Sequence, residues 1–160
     1  LRPGQVIEGV NDSKKLSEKK REALFDTICS QCAAYGIGSA TEKEIDEINI
    51  LNATYLAMQR AVAALPVQPD CALVDGNRAP DLPLEVRTII KGDAQSASIA
   101  AASILAKVSR DRYMQMAEKY PQYAFEKHKG YGTKLHYERL EQYGISPIHR
   151  LSFLKKWMNR

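Results

Sequence analysis

The sequence has few of the features that mark membrane-spanning, secreted or disordered chains. Its longest apolar runs are short and interrupted by charges, well below the roughly 20 residues that a membrane span needs, and this predicts no membrane association. It has no signal-peptide pattern, and it opens on Leu1-Arg2-Pro3-Gly4 without an initiator Met, so we expect that upstream residues were removed or not made. Without repeats, low-complexity segments or a Gly/Ser-rich linker, it predicts a single domain over residues 1–160.

Cysteine is scarce, and its spacing argues against a disulfide framework. The chain has three cysteines, Cys29, Cys32 and Cys71, and an odd number cannot all pair within one chain. Cys29 and Cys32 form a C-x-x-C, a spacing found in redox and metal sites, but they lie in a segment typical of an amphipathic helix. Because no second Cys or His pair complements them, we interpret them as ordinary helix residues in a reducing, cytoplasmic setting.

Positive charge is concentrated at the C-terminal end. Residues 127–160 carry eight Lys or Arg against two Glu, so this tail has a net charge of +6, whereas the whole chain has +4. Aromatic residues are interleaved with the charges, at Tyr131, Tyr137, Tyr143, Phe153 and Trp157. The combination indicates either a nucleic-acid-binding surface or a solvated helix surface whose aromatics belong to the core.

Strand and helix patterns alternate along the chain. We predict a buried strand at Cys71–Asp75, a second strand at residues 86–90 and a further short strand at residues 35–40. Helices are predicted after an N-cap at Ser17, after a capping box at residues 41–44, and at residues 53–65, 96–120, 134–143 and from Ser146-Pro147 onward. The small residues of the 96–120 helix predict close packing against a sheet. The alternation predicts an α/β fold with helices flanking a central sheet, and a helical C-terminal part at about residues 121–160.

Two carboxylates follow the predicted strands. Asp75 closes the first strand before a Gly-Asn turn, and Asp93 follows the second strand just before the long helix. Side chains at strand ends of an α/β sheet converge on a common edge, so the pair is placed to share a hard cation such as Mg²⁺ or Mn²⁺. The alternative is structural, with Asp75 as a turn residue and Asp93 as a helix N-cap.

Two loops carry further candidates. Lys14 and Lys15 stand at a helix entrance, where adjacent lysines can hold phosphates or can simply be solvated. A second loop carries His128, Lys129 and Tyr131 between glycines. A tyrosine flanked by glycines can stack on a sugar or base, although such loops are often plain turns.

Six segments of this chain resemble successive signatures of the ribonuclease HII family, in the family's order and across almost the whole chain. They are residues 11–17 (NDSKKLS), 45–54 (IDEINILNAT), 74–77 (VDGN), 91–93 (KGD), 98–108 (SIAAASILAKV) and 128–133 (HKGYGT).

The resemblance implies a ribonuclease H-like fold and a four-carboxylate site with two divalent ions, Mn²⁺ or Mg²⁺. It implies that Asp75 and Asp93 are the third and fourth carboxylates and that Lys14, beside Lys15, lies near the scissile phosphate. It places Asn49 beside the substrate and implies that Tyr131, in the loop with His128 and Lys129, senses the sugar at an RNA–DNA junction.

The implied activity is endonucleolytic hydrolysis of the RNA strand of RNA–DNA hybrids and cleavage 5′ to ribonucleotides embedded in DNA. The implied partners are these nucleic acids, in DNA replication and ribonucleotide excision repair, with no membrane and no obligate protein partner.

One departure from the family pattern bears on activity. The family carries an Asp-Glu pair followed by a Gly-Arg-Gly segment, upstream of the Asp-Ser-Lys-Lys loop, and these 160 residues contain no such motif. We therefore expect a sheet without its opening strands, half of the metal ligands, and negligible cleavage by this chain as it stands. The alternatives are a non-catalytic nucleic-acid-binding fragment, using the basic tail and the Tyr131 loop, and a metal-dependent phosphoryl-transfer enzyme acting on another substrate.

Overall fold

The computed structural model describes residues 1–115 and 119–159. Its strands are β1 (Cys71–Asp75) and β2 (Glu85–Ile89), and its helices are α1 (Glu18–Gln31), α2 (Glu42–Ala63), α3 (Ala97–Gln115), α4 (Phe125–His128), α5 (Lys134–Tyr143) and α6 (Leu151–Met158). Three-residue 3-10 turns lie at Ser13–Lys15, Gly92–Ala94 and Pro121–Tyr123. No described helix is both long enough and apolar enough to cross a membrane.

The chain divides into two compact units. Unit 1 comprises Leu1–Ala40 and Leu51–Val108, and unit 2 comprises Thr41–Ile50 and Ser109–Arg160. Unit 2 contains all of residues 121–160, the C-terminal part that the sequence predicts to be helical. This division does not test whether residues 1–160 form a single domain, and that call stays a prediction.

The sheet of unit 1 consists of β1 and β2, paired in parallel. Cys71 lies opposite Glu85 and Asp75 lies opposite Ile89, so the two strands end at the same edge. The prediction for β1 is confirmed residue for residue, and β2 begins one residue earlier than predicted. This edge is where the sequence placed its paired carboxylates.

The core of unit 1 joins α3 to α1. Ala101, Ile104, Leu105 and Val108 of α3 are buried in one cluster with Ile7 and with Leu24 and Ile28 of α1. Ser17 caps α1 as predicted, because its side chain accepts a hydrogen bond from Lys20 N. This cluster packs helix against helix, and the predicted packing of the small residues of α3 against a sheet stays a prediction.

The predicted strand at residues 35–40 is wrong for the part of the chain that the structure describes. The segment has no regular secondary structure, and the only strands in the described residues are β1 and β2. It lies instead along α2, where a Cβ on Gly38 would collide with the carbonyl oxygen of Ala57 and one on Gly36 with that of Ala61. Glycine is required at both positions because the opposing atoms are backbone and cannot move aside.

Unit 2 is a set of short helices around an aromatic core. Its buried cluster contains Met114, Tyr123, Phe125, Leu140 and Leu154. The capping box is confirmed, since Thr41 N donates to Glu44 Oε2 (2.8 Å) and Glu44 N donates to Thr41 Oγ1 (3.2 Å). Helix α5 and its closing Gly144, with φ 74°, are also as predicted.

The ends of two helices differ from the predictions. Helix α6 starts at Leu151 and not at Ser146-Pro147, because Ser146 is hydrogen-bonded to the ring of His149 in a turn before the helix. The long helix was predicted over residues 96–120, and α3 is described from Ala97 to Gln115. Residues 116–118 lie outside the described part, and Lys119 and Tyr120 beyond them are not helical.

Candidate active site

The side chain of Asp75 is fixed at the end of β1. Gly76 follows it with φ 126° and makes the turn out of the strand, while its amide donates to Ile89 O across the sheet (3.0 Å). Oδ1 of Asp75 accepts a hydrogen bond from the backbone amide of Gly92 (2.8 Å). One carboxylate oxygen is thereby oriented by the backbone of the turn that follows β2.

Asp93 is brought to the same place by the turn that begins with Gly92. Lys91 adopts a left-handed conformation (φ 55°) and Gly92 is buried. A Cβ at Gly92 would lie 2.5 Å from Ile99 Cδ1 and 3.5 Å from Asp75 Cα. Because Gly92 has no side chain, it can pack closely against Asp75. This packing places the next residue, Asp93, beside Asp75.

Lys14 faces this carboxylate edge. Its Nζ lies 3.7 Å from Oδ2 of Asp93, and its side chain is 82% exposed, whereas that of Asp93 is 11% exposed. Two hydrogen bonds fix the loop that carries Lys14. Asp12 Oδ1 accepts from Lys14 N (2.9 Å), and the Arg21 side chain donates to Ser13 O (3.0 Å). Lys15, the last residue of the 3-10 turn, is exposed beside it. The structure thus brings Lys14, Asp75 and Asp93 together, and their roles in catalysis and phosphate binding stay predictions.

A cleft beside Asp75 contains residues that the sequence analysis missed. Thr54 and Tyr55 of α2 line it together with Asn77 and Arg78, which follow the Gly76 turn. Arg78 adds a cation, and Tyr55 adds an aromatic ring next to the carboxylate. Their positions in the sequence could have indicated them, since Asn77 and Arg78 lie two and three residues after Asp75 and Thr54 ends the 45–54 segment of the family resemblance.

The donor chemistry at this edge fits a divalent cation. Asp75 and Asp93 supply hard carboxylate oxygens, the ligand type that Mg²⁺ and Mn²⁺ prefer, and the Gly92 amide orients one of them. Among residues 1–115 and 119–159, no cluster of three or more His, Cys, Asp or Glu is placed to hold a metal. The described residues therefore offer a pair of carboxylates and no larger ligand set.

Asn49 lies in unit 2, at a break within α2. Its backbone angles, φ 66° and ψ 166°, are non-helical and fall in a region that residues other than glycine rarely occupy. Such strain is of the order of 1–3 kcal/mol and is common at functional sites. The sequence predicted a helix end near Asn49, and the structure places a kink there.

The loop after α4 presents Tyr131 and encloses His128. The side chain of Tyr131 is 63% exposed, whereas His128 is 5% exposed. His128 Nε2 lies 2.8 Å from Tyr123 O, and its Nδ1 accepts from Gly130 N (3.2 Å). Lys129 and Gly130 both have positive φ, 50° and 80°, which produces the tight turn. Tyr131 is thus available at the surface, and His128 supports the loop from inside.

Cationic side chains that the sequence analysis did not single out lie near this loop. The guanidinium of Arg150 stacks over the ring of Phe153 at 4.0 Å. Burial and the neighbouring Arg110 lower the pKa of Arg150 from its ordinary value, and Tyr131 interacts with it electrostatically. A Cβ on Gly130 would lie 3.4 Å from a guanidinium nitrogen of Arg110. Tyr131 therefore belongs to a surface containing arginine and aromatic groups within unit 2.

Comparisons with known proteins agree with one another. The sequence model of the family described as Ribonuclease HII matches residues 7–156. The chain is 60% identical over 155 residues to "Ribonuclease HII" of Marinomonas sp. (strain MWYL1), a match covering 96% of this chain and 78% of that protein. It is 59% identical over 152 residues to "Ribonuclease HII" of Caldicellulosiruptor bescii, covering 94% and 74% respectively.

A solved structure shares the fold. It is the crystal structure of the ribonuclease H2 from Pyrococcus horikoshii OT3, which superposes with a TM-score of 0.72 and 30% sequence identity over 90% of this chain and 76% of that one. The ribonuclease H-like α/β fold that the resemblance implied is confirmed by this match. With a family match over residues 7–156, and relatives about 60% identical over nearly all of its length, the chain belongs to the ribonuclease HII family.

Proposed function

We propose that this chain belongs to an endonuclease that hydrolyses the RNA strand of RNA–DNA hybrids and cuts 5′ to ribonucleotides embedded in DNA. The observation that carries the proposal is the juxtaposition of Asp75, Gly92 and Asp93 at the carboxyl end of the parallel strands, with Lys14 facing Asp93. Family membership supports the same activity.

Asp75 and Asp93 are the residues that would hold divalent cations, Mg²⁺ or Mn²⁺. When two such ions are bound, they lower the pKa of the attacking water and stabilise the leaving oxygen. The contribution of the protein is to present oxygens already oriented before the ions arrive. The Gly92 amide does this for Asp75, and the turn at Lys91 does it for Asp93.

Lys14 would offset phosphate charge at this edge. Its side chain extends into solvent, with its ammonium group 3.7 Å from a carboxylate, so a phosphate bound near Asp93 would lie within reach of it. An ammonium group acts as a point charge for phosphate. Lys15, exposed on the same 3-10 turn, would add to the local positive potential.

Asn49, Lys129 and Tyr131 would contact the nucleic acid from unit 2. The exposed ring of Tyr131 suits stacking on a sugar or base, a contact of about 1–3 kcal/mol. The strained backbone at Asn49 supports a functional role for that residue. His128 would act on the substrate indirectly, since it is buried beneath the loop.

We propose further that the 160 residues alone cleave negligibly. Close approach of two cations to a phosphate needs several carboxylates to offset their mutual repulsion, and the described residues bring together Asp75 and Asp93. The non-catalytic alternative, nucleic-acid binding by the basic tail and the Tyr131 loop, is favoured for this chain in isolation by the arginine and aromatic surface around Tyr131.

The test uses a labelled DNA duplex with one ribonucleotide and, separately, an RNA–DNA hybrid. Each is incubated with Mg²⁺ or Mn²⁺ and with the chain, or with the chain extended by an Asp-Glu and Gly-Arg-Gly segment taken from a relative. Cleavage by the extended protein that is lost in its Asp75→Asn variant is the expected result. Cleavage by the 160 residues alone would contradict the proposed inactivity, and an extended protein that cuts neither substrate would contradict the proposed function.

A further inference from the structure

The histidines of this chain form one buried cluster. The sequence contains three, His128, His136 and His149, and each is 5–6% exposed in unit 2. The rings of His128 and His136 stack with their centroids 4.3 Å apart. Nε2 of His136 lies 3.0 Å from Nε2 of His149. Hydrogen bonds at the two ends of the His136–His149 pair determine which ring nitrogens carry protons.

The first end is at Ser146. The backbone amide of Ser146 donates to Nδ1 of His149 (3.0 Å), and a backbone amide can only donate. Nδ1 therefore carries no proton, and the Ser146 hydroxyl oxygen lies 2.6 Å from the same nitrogen. The proton of the neutral His149 ring must then be on Nε2, which faces His136.

The second end is at Tyr131. Nδ1 of His136 lies 2.9 Å from the carbonyl oxygen of Tyr131, and a carbonyl can only accept. Nδ1 of His136 therefore carries the proton, and its Nε2 is an acceptor. The two ends independently require the same arrangement, in which His149 Nε2–H donates to His136 Nε2.

His128 supports the same loop from the other side. Because its Nδ1 accepts from Gly130 N (3.2 Å), its Nε2 carries the proton and donates to Tyr123 O (2.8 Å). The loop is therefore fixed at the amide of Gly130 by His128 and at the carbonyl of Tyr131 by His136.

We propose that His136 and His149 are positioning residues that set the backbone of Tyr131 through a hydrogen-bond relay, which runs from Ser146 through both rings to the Tyr131 carbonyl. By fixing the backbone of Tyr131, the relay determines the position and direction of its exposed ring at the protein surface. This inference rests on the proposed function for the role of Tyr131 in binding nucleic acid, and goes beyond it in naming what holds that residue.

Two substitutions at His136 separate the two halves of the relay. In His136→Asn, the side-chain amide nitrogen falls near the place of Nδ1 and can still donate to Tyr131 O, but nothing reaches His149. In His136→Gln, the longer amide reaches the place of Nε2 and can still accept from His149, but the bond to Tyr131 is lost. Both variants carry a side-chain amide, and they differ in which hydrogen bond they keep, the one to Tyr131 O or the one from His149.

The relay is tested first without any nucleic acid. Long-range proton–nitrogen NMR correlation on the histidine-labelled chain reports which ring nitrogen is protonated. The expected pattern is protonated Nδ1 in His136 and protonated Nε2 in His128 and His149. Any other tautomer of His136 or His149 overturns the relay. This measurement needs no variant and does not depend on the proposed function.

The positioning role is tested in the variants, after far-UV circular dichroism has shown that both are folded. Amide hydrogen exchange at Gly130, Tyr131 and Gly132 is expected to accelerate in His136→Gln relative to His136→Asn, and affinity for a fluorescent RNA–DNA hybrid is expected to fall about fivefold in the same comparison. Equal exchange in the two variants overturns positioning of the loop. Faster exchange with equal affinity overturns the link to binding. A wild-type chain that binds no hybrid overturns the proposed binding of nucleic acid by these 160 residues, while hydrogen exchange still decides the relay.

Discussion

The backbone amide of Gly92 donates a 2.8 Å hydrogen bond to Oδ1 of Asp75, which ties the turn carrying Asp93 to the end of β1. The bond joins two segments that the chain separates by 17 residues, and it makes the position of Asp93 depend on the packing of Gly92. Several consequences of this and neighbouring contacts can be measured.

Gly92→Ala is expected to destabilise the protein by about 1–3 kcal/mol, because the added Cβ would lie 2.5 Å from Ile99 Cδ1 in a buried position. Ile99→Val removes that Cδ1, so the double variant should lose less stability than the sum of the two single changes. Urea unfolding of the four proteins measures the coupling. Strictly additive effects would show that the close contact with Ile99 is not what requires glycine here.

Lys14→Ala is expected to leave the free energy of unfolding within about 0.5 kcal/mol, since the ammonium group is exposed and its pairing with Asp93 is long. It should nevertheless weaken binding to an RNA–DNA hybrid and reduce the salt dependence of log affinity by about one unit of slope, as expected for one lost phosphate contact. Lys19→Ala, another exposed lysine of unit 1, serves as the control. Identical salt slopes for the two variants would remove Lys14 from the phosphate-binding surface.

Asp46→Ala is expected to cost about 1–3 kcal/mol of stability, because Asp46 caps α6 from a distant part of the sequence. Its carboxylate accepts from Leu151 N (2.8 Å), from Ser152 N (2.9 Å) and from the Ser152 hydroxyl. Burial acts to raise the pKa of Asp46, but these hydrogen bonds prevail and hold it below its ordinary value. Thermal unfolding measures the loss, and the exposed neighbour Glu47→Ala is the control. An equal loss in both variants would mean that the cap contributes little.

Acidification from pH 7 to pH 5 is expected to destabilise the fold through the histidine cluster. Burial and the neighbouring His136 lower the pKa of His149 from 6.5 to about 4, and burial also lowers the pKa of His136. The unfolded chain therefore binds protons near pH 6.5 that the folded chain does not take up, so stability is full above about pH 7 and falls as the pH drops towards 4. For His149 the total loss is up to about 3 kcal/mol.

The measurement is the free energy of unfolding between pH 7 and pH 5, a window above the titration of most carboxylates. His149→Asn removes one titrating group, and its slope over this window should be shallower than that of the wild type. Since the three histidines are the only ones in the sequence, no other imidazole contributes. A variant with an unchanged slope would contradict the assignment.

Local structure was predictable wherever it depends on neighbouring residues. Ser17, Thr41 with Glu44, and Gly144 were each identified as helix boundaries, because caps are determined by residues within four positions. The strand at 35–40 and the start of α6 were mispredicted for the opposite reason. Whether an extended segment pairs depends on partners far away in sequence, and so does the cap of α6, where Asp46 accepts from Leu151 N and Ser152 N.

The candidate site shows the same division. Asp75, Asp93 and Lys14 were found from strand ends, a loop and a family resemblance, and the structure brings them together. Tyr55 in the adjoining cleft and Arg110 near Tyr131 carried no local signal, whereas Arg78 follows Asp75 by three residues and Arg150 belongs to the basic tail. Their relevance depends on which residues surround them in space.

By itself, the sequence determined the family, the alternation of helices and strands and the position of Asp75 at the end of a strand, because these follow from residue types at short spacing. The tertiary structure alone decided that Gly92 must be glycine, that Asp46 caps α6, and that the three histidines meet beneath Tyr131. Each of these depends on hydrogen bonds or packing between atoms that are distant along the chain, and no spacing of residue types encodes which of them become neighbours.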